Sequence, residues 1–221
     1  MLVRCEQVAR TYGTGQTATV ALHGASCEVR AGQQVAITGP SGSGKSTLLH
    51  LLAGLDEPTS GSVTWPDIGE RAALRPGPVA MVFQGPSLLD PLTVLENVAL
   101  PLQLDDVDEI VARELALEAL ASLGLEDLAD KLPEELSGGQ AQRVAVARVL
   151  AGAPKLILAD EPTGQLDRAS ADAVIDVLVR VAARHGSALV VSTHDPLVAE
   201  RLSERWTVAD GRLSAGAETA A

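Results

Sequence analysis

The stretch Gly39-Pro40-Ser41-Gly42-Ser43-Gly44-Lys45-Ser46-Thr47 fits the pattern G-x-x-x-x-G-K-[ST]. It lies between an apolar run, Val35-Ala36-Ile37, and a helix-like run, Leu48-Leu49-His50-Leu51-Leu52-Ala53, which is the strand-to-helix setting of a phosphate-cradling loop. The glycines let successive backbone N–H groups converge on a phosphate, and the following helix adds the positive end of its dipole. Lys45 is then placed to reach the β- and γ-phosphates, and the Ser46 hydroxyl to ligate Mg²⁺. A flexible Gly/Ser turn would share the composition but would not need the Lys-Ser pair or both flanks.

A second group of chemistry-bearing residues follows apolar runs. Asp160 and Glu161 come directly after Leu156-Ile157-Leu158-Ala159, so both carboxylates emerge at the carboxyl edge of a sheet, where open α/β folds bind ligands. The first acid is placed to hold Mg²⁺ through its water shell, and Glu161 to polarise an attacking water. A solvated acidic turn before Pro162 is the plainer reading, and the upstream P-loop weighs against it. Gln84 closes another apolar run and can offer an amide oxygen to a metal or water. His194 closes a third and can hydrogen-bond a terminal phosphate, although a lone histidine is more often structural. His23, His50 and His185 have no comparable setting. Leu136-Ser137-Gly138-Gly139-Gln140 precedes a helix carrying Arg143 and Arg148, and its glycine amides, hydroxyl and helix start form a second anion site. One nucleotide needs only one such site, which points to a composite site across two subunits.

The elements that must hold these residues read as follows. Leu2–Glu6 and Ala25–Val29 are short alternating strands, and a turn at Arg30–Gln33 leads into the strand Gln34–Thr38. Tyr12, the only tyrosine, falls in a turn-like segment with Gly13-Thr14-Gly15, open to either an ordinary exposed or core role or to base stacking. Ser62–Trp65 is a strand ended by Pro66, residues 67–78 are loop, and Val79–Phe83 has buried-strand length. Between Gly85 and Glu135 the texture is helical: Pro91–Val98 with Thr93 as N-cap and Glu96 as its capping-box partner, then Asp108–Leu123 closed by Gly124 at C′. Beyond it, Gln140–Ala151 and Ala169–Arg184 read as helices. Lys155–Ala159 and Ala188–Ser192 are continuously apolar, as parallel strands covered on both faces are. A hairpin over Trp206–Leu213 turns at Asp210-Gly211, and the Ala/Gly/Glu end is expected to fray.

Composition bounds the function. With 221 residues, 46% of them apolar, the chain can fill a large core. No apolar run approaches the roughly 18 residues a membrane span needs, and the first residues lack a signal-peptide core, so a cytosolic location is expected. The net charge of −12 argues against nucleic-acid binding, which needs a basic surface. Cys5 and Cys27, the only cysteines, offer neither zinc spacing nor a disulfide framework and are expected to be small buried or half-buried thiols.

In order, the P-loop, Gln84, Leu136–Gln140, Leu156–Glu161, Gly164-Gln165-Leu166-Asp167 and His194 resemble an ABC-type ATPase domain over residues 2–213. The resemblance implies an α/β P-loop NTPase with a mainly parallel central sheet, an N-terminal antiparallel β layer and an inserted α-helical subdomain. Its expected organisation is an ATP-binding core of residues 1–84 and 145–221 and a helical subdomain of residues 85–144. It implies ATP and Mg²⁺ as ligands. Tyr12 would stack on adenine, Gly39 to Gly44 with Lys45, Ser46 and Thr47 would hold phosphates and Mg²⁺, and Gln84 would couple the metal to the helical subdomain. Asp160 would hold the metal and Glu161 would act as base. Ser137, Gly138, Gly139 and Gln140 would close over the γ-phosphate bound to the opposite subunit of a homodimer. Asp167 would communicate across that dimer and His194 would sense the γ-phosphate.

More narrowly, Leu92–Leu102 and Ala159–Gly164 are similar to ATPases of the lipoprotein-releasing, macrolide-exporting and cell-division group. That likeness implies a membrane permease partner, a peripheral place on the inner face of the cell membrane, and work of the exporter or mechanotransmission type. An alternative within it is a division-complex or regulatory ATPase that transports nothing. Residues 64–79 are shorter than in such relatives, and Gln165 stands where an Asn is expected. Chromosome-maintenance relatives carry a long coiled coil and translation relatives two such domains, and neither feature is present. A P-loop kinase or GTPase would have no use for the signature segment.

Overall fold

The computed structural model describes residues 1–215. In chain order the elements are β1 (Val3–Tyr12), β2 (Thr19–Val29), β3 (Gln34–Thr38), α1 (Lys45–Leu52), β4 (Ser60–Thr64), β5 (Val79–Val82), α2 (Val94–Leu104), α3 (Glu109–Ala121), α4 (Gly138–Ala151), β6 (Leu156–Asp160), α5 (Arg168–His185), β7 (Ala188–Ser192), α6 (Pro196–Ala199), β8 (Glu204–Ala209) and β9 (Arg212–Ala215). They form a three-stranded antiparallel sheet ordered β2-β1-β4 and a six-stranded sheet ordered β5-β6-β7-β3-β8-β9. The pairs β5·β6, β6·β7, β3·β7 and β3·β8 are parallel, and only β8·β9 is antiparallel. This is the α/β architecture expected. The end expected to fray lies outside the described residues from 216 onward.

Strand alternation sorts the parallel sheet into two cores. Val35, Ile37, Leu156, Leu158, Ala188 and Val190 face one way, into a cluster with α1 and the antiparallel layer. Ala36, Ile157, Ala159, Leu189 and Val191 face the other, into a cluster with α2, α3, α4 and α5. Successive side chains of a strand point to opposite faces, so a strand covered on both sides is apolar at every position. That is why β6 and β7 carry no polar alternation.

The N-terminal strands are longer than expected. Positive φ at Gln7, with pairing-register shifts on both sides of Val8, puts bulges into β1. Bulges interrupt the two-residue period, and the strand looks finished at Glu6 although it runs to Tyr12. Tyr12 is therefore the last residue of a strand, paired with Thr19, rather than part of a turn.

In the helical part Thr93 caps α2 with the full capping box: its hydroxyl accepts from the Glu96 N–H, and its own N–H donates to the Glu96 carboxylate. The helix continues through Pro101 to Leu104, beyond the expected end at Val98. The αL glycine after α3, Gly124, lies one residue later than C′, because Ser122 is the C-cap. Asn97 is fully buried in α2. Its side chain accepts from the Leu89 N–H and donates to the carbonyls of Leu89, Leu92 and Thr93, latching the segment after Gln84 onto the helix. Helix α4 is continuous across residues 144 and 145. Cys5 and Cys27 are buried, free and directly opposite each other in the β1·β2 pair. The facing Cys27 thiol, then burial, pushes the Cys5 thiol far up, so it stays protonated. No helix among the described residues is long and apolar enough to cross a membrane.

Candidate active site

The loop between β3 and α1 is shaped by glycines that cannot be replaced. At Gly39, with φ +148°, a Cβ would stand 2.0 Å from the Val208 carbonyl oxygen; at Gly44, with φ +106°, it would stand 2.4 Å from that of Ala21. Both positions are open only to glycine because backbone fills the space. The loop closes around Lys45, which is 5% exposed. Its ammonium donates to the Gly39 and Pro40 carbonyls at 2.9 and 3.0 Å and lies 3.8 Å from Glu161 Oε1. Three acceptors thus compensate a buried cation.

A cavity of about 540 Å³ opens over this loop, lined by Ser41, Gly42, Gly44, Lys45, Ser46, Thr47, Gln84, Glu161, His194 and Ala21. Sheet order explains the convergence, since β5, β6, β7 and β3 are consecutive and parallel. Their carboxyl ends therefore bring the Gln84 segment, Asp160-Glu161, His194 and the P-loop to one edge. Strand β5 ends at Val82, so Gln84 stands two residues beyond it, exposed in the following loop. Asp160 is 6% exposed, and Glu161 sits at φ +45°, an uncommon conformation for a side chain of its size.

Ser192, which composition alone did not mark, holds this pair. Its hydroxyl donates to Asp160 Oδ1 at 2.5 Å and accepts from the Glu161 N–H at 3.0 Å, and its carbonyl accepts from the same N–H at 3.1 Å. The Glu161 carboxylate meets His194 Nδ1 at 2.8 Å. Gln142, a buried residue of α4, is a second unmarked tether. Its amide donates to the carbonyls of Phe83 and Pro162, joining the strand end before Gln84 to the turn after Glu161.

Other expected site residues lie elsewhere. Ser137 caps α4, its hydroxyl accepting from the Gln140 N–H while its own N–H donates to Gln140 Oε1. With Gly138, Gly139 and Gln140 it is not part of the cavity wall. Asp167 caps α5, accepting from the Ser170 hydroxyl at 2.7 Å and the Ser170 N–H at 3.0 Å, which hold its carboxyl below the ordinary range. Tyr12 lies at the end of β1, 40% exposed.

A family model described as "ABC transporter" matches residues 22–164. The chain belongs to this family of ATPases. The cassette is similar along its whole length to the whole length of MJ0796, at 36% identity and a TM-score of 0.91 to the dimer solved in a post-hydrolysis state with ADP and Pi. A second dimeric structure of MJ0796, described as a bacterial ABC transporter cassette, gives a TM-score of 0.92, again at 36% identity and full coverage of both chains. Against cbiO1 of Clostridium perfringens, part of the ABC transporter complex cbiONQ, identity is 30% and the TM-score 0.82, with 96% of this chain and 86% of that one covered. The cassette is an ATP-binding and ATP-hydrolysing unit.

The residues present suit Mg²⁺ as well. Ser46, Gln84 and Asp160 are oxygen donors, the ligand class this hard cation takes, and it keeps its remaining places for water and phosphate. No group of three or more His, Cys, Asp or Glu residues able to hold a metal exists among the described residues.

Proposed function

We propose that this cassette binds Mg-ATP and dimerises around two nucleotides, driving a membrane permease of exporter or mechanotransmission type. The observation that carries the reading is the separation of the two anion-seeking helix starts. The P-loop cavity is lined by Lys45, Glu161 and His194, while the Ser137–Gln140 helix start of the same chain contributes nothing to it. A second copy supplies that missing wall, closing its Ser137, Gly138 and Gly139 over the γ-phosphate.

In the closed site Lys45 exchanges its contacts with the loop carbonyls for the β- and γ-phosphates, and the amides of Gly42 to Thr47 surround the β-phosphate. Tyr12 stacks on the base. Bound Mg²⁺ would be held by Ser46, Gln84 and Asp160 and would neutralise charge developing on the phosphates. Glu161 orients the water for in-line attack and accepts its proton, and His194, already bonded to that carboxylate, turns its other ring nitrogen to the γ-phosphate. Asp167 relays closure between subunits.

An apolar groove of about 450 Å³, lined by Ala80, Met81, Leu100, Leu104, Arg148 and Val149 among others, is suited to a cytoplasmic segment of the permease. Arg148 ties it to the Gln84 loop, donating to the carbonyl and hydroxyl of Ser87. Such docking places the cassette on the inner face of the membrane. The test is capture from detergent extract with Glu161→Gln in Mg-ATP. Recovery of a membrane subunit supports the reading; recovery of soluble partners alone, with the closed dimer verified, rejects it in favour of a non-transport role.

A further inference from the structure

The end of β1 and the chain beyond α1 meet in a cluster that the phosphate chemistry leaves unused. Asp56 Oδ2 accepts from the Tyr12 hydroxyl and from Arg10 Nε, both at 2.8 Å, and Asp56 Oδ1 pairs with Arg10 Nη2 at 2.7 Å. The Arg10 guanidinium lies over the Tyr12 ring, its Cζ 4.6 Å from the centroid. The ring is thus fixed at its strand-held base, at its hydroxyl and across one face, while the residue stays 40% exposed to solvent. Strand register puts it near the P-loop cavity: Tyr12 pairs with Thr19, and Ala21, two residues further along β2, lines that cavity. The Asp56 N–H donates to the His50 carbonyl in α1, so this carboxylate hangs from the helix that follows the phosphate loop.

We propose that Asp56 is a positioning residue for the nucleotide base, holding the Tyr12 ring, directly and through Arg10, in the attitude that leaves one face for adenine. The proposal rests on the reading of Tyr12 as the base-stacking residue. An ordinary surface ion pair does little. This one is mostly shielded, with 19% of the Asp56 side chain exposed. Burial pushes its carboxyl upward, and the Tyr12 hydroxyl, the Glu57 N–H and Arg10 outweigh that and hold it below the usual range. A ring held before the base arrives loses no rotamer freedom on stacking, so the hold appears as affinity for the base and not as chemistry.

The experiment measures equilibrium binding of Mg²⁺-1,N6-etheno-ATP, whose emission reports on stacking, and of Mg²⁺-tripolyphosphate, which has no base, to the full chain and to Tyr12→Ala, Tyr12→Phe, Asp56→Ala and the Tyr12→Ala/Asp56→Ala double variant. Tyr12→Ala should weaken etheno-ATP by about tenfold and Asp56→Ala by about three- to tenfold, both sparing tripolyphosphate. Tyr12→Phe, which loses only the hydroxyl at an exposed position, should weaken etheno-ATP by about two- to fivefold. Asp56→Ala should raise KM for ATP with kcat held within about twofold, and should add nothing to Tyr12→Ala. Equal weakening of both probes by Asp56→Ala would make it a mere support of α1 and overturn the proposal. Unchanged etheno-ATP binding in Asp56→Ala and Tyr12→Phe, with loss in Tyr12→Ala, would overturn it while sparing the stacking role. No effect of Tyr12→Ala would remove the stacking role and the proposal with it.

Discussion

At the scale of single residues, the carboxylate that faces both Lys45 and His194 is the one to alter first. Glu161→Gln keeps shape and most hydrogen bonds but cannot accept a proton. Turnover should fall by about 10²- to 10⁴-fold with ATP binding retained, read by phosphate release beside equilibrium binding. Parental turnover would remove Glu161 from the role of base. Ser192→Ala removes the hydroxyl that serves Asp160 and Glu161 together, and should cost about 1–3 kcal/mol in denaturant unfolding. The first of these residues is legible in the sequence because Lys45, Ser46, Asp160 and Glu161 occupy motif positions whose chemistry fixes their type. Ser192 and Gln142 are not legible there. Each serves backbone or carboxyl groups brought close only by the fold, and a serine at a strand end or a glutamine in a helix carries no mark of that duty.

At the scale of elements, the start of α2 is a local device and can be tested locally. Thr93→Ala should cost about 1 kcal/mol of stability in thermal or denaturant unfolding, as loss of an N-cap does. The Thr93 N–H, then its hydroxyl, hold the Glu96 carboxyl below its ordinary value. A group whose folded pKa is depressed stabilises above its unfolded pKa, about 4.3 for Glu, and the contribution is lost as pH falls through the lower folded value. The stability of the parent against unfolding should therefore fall more between neutral pH and about pH 3 than that of Glu96→Gln. The capping box could be read in advance because its partners are three residues apart. The length of β1 could not, because its bulges hide the two-residue period. Nor could the full α2: Pro101 signals a helix end, yet the helix passes it and Asn97 latches the preceding loop.

At the scale of the whole molecule, charge decides how two copies meet. Each carries a formal net charge of −12, so pairing brings two like fields together, and salt screens such fields over roughly 10 Å at 0.1 M. The dimer proposed for Glu161→Gln in Mg-ATP should therefore become more populated as NaCl rises from about 20 to 300 mM, measured by size-exclusion chromatography with light scattering. A dimer that dissociates with salt would mean that local ion pairs at the interface outweigh the global repulsion.

The strand order also has a temporal side. Strand β3, which leads into the P-loop, pairs with β7 and β8, and about 150 residues separate Thr38 from Ala188. On a translating ribosome at 5–20 residues per second, that apolar strand waits roughly 8–30 s for its first neighbour. During that interval the nascent chain has a nearly complete antiparallel layer and a phosphate loop with no sheet behind it. The late arrival of β7 and β8 thus leaves the apolar β3 without its sheet partners while the middle of the chain is made, and slower elongation would lengthen that exposure.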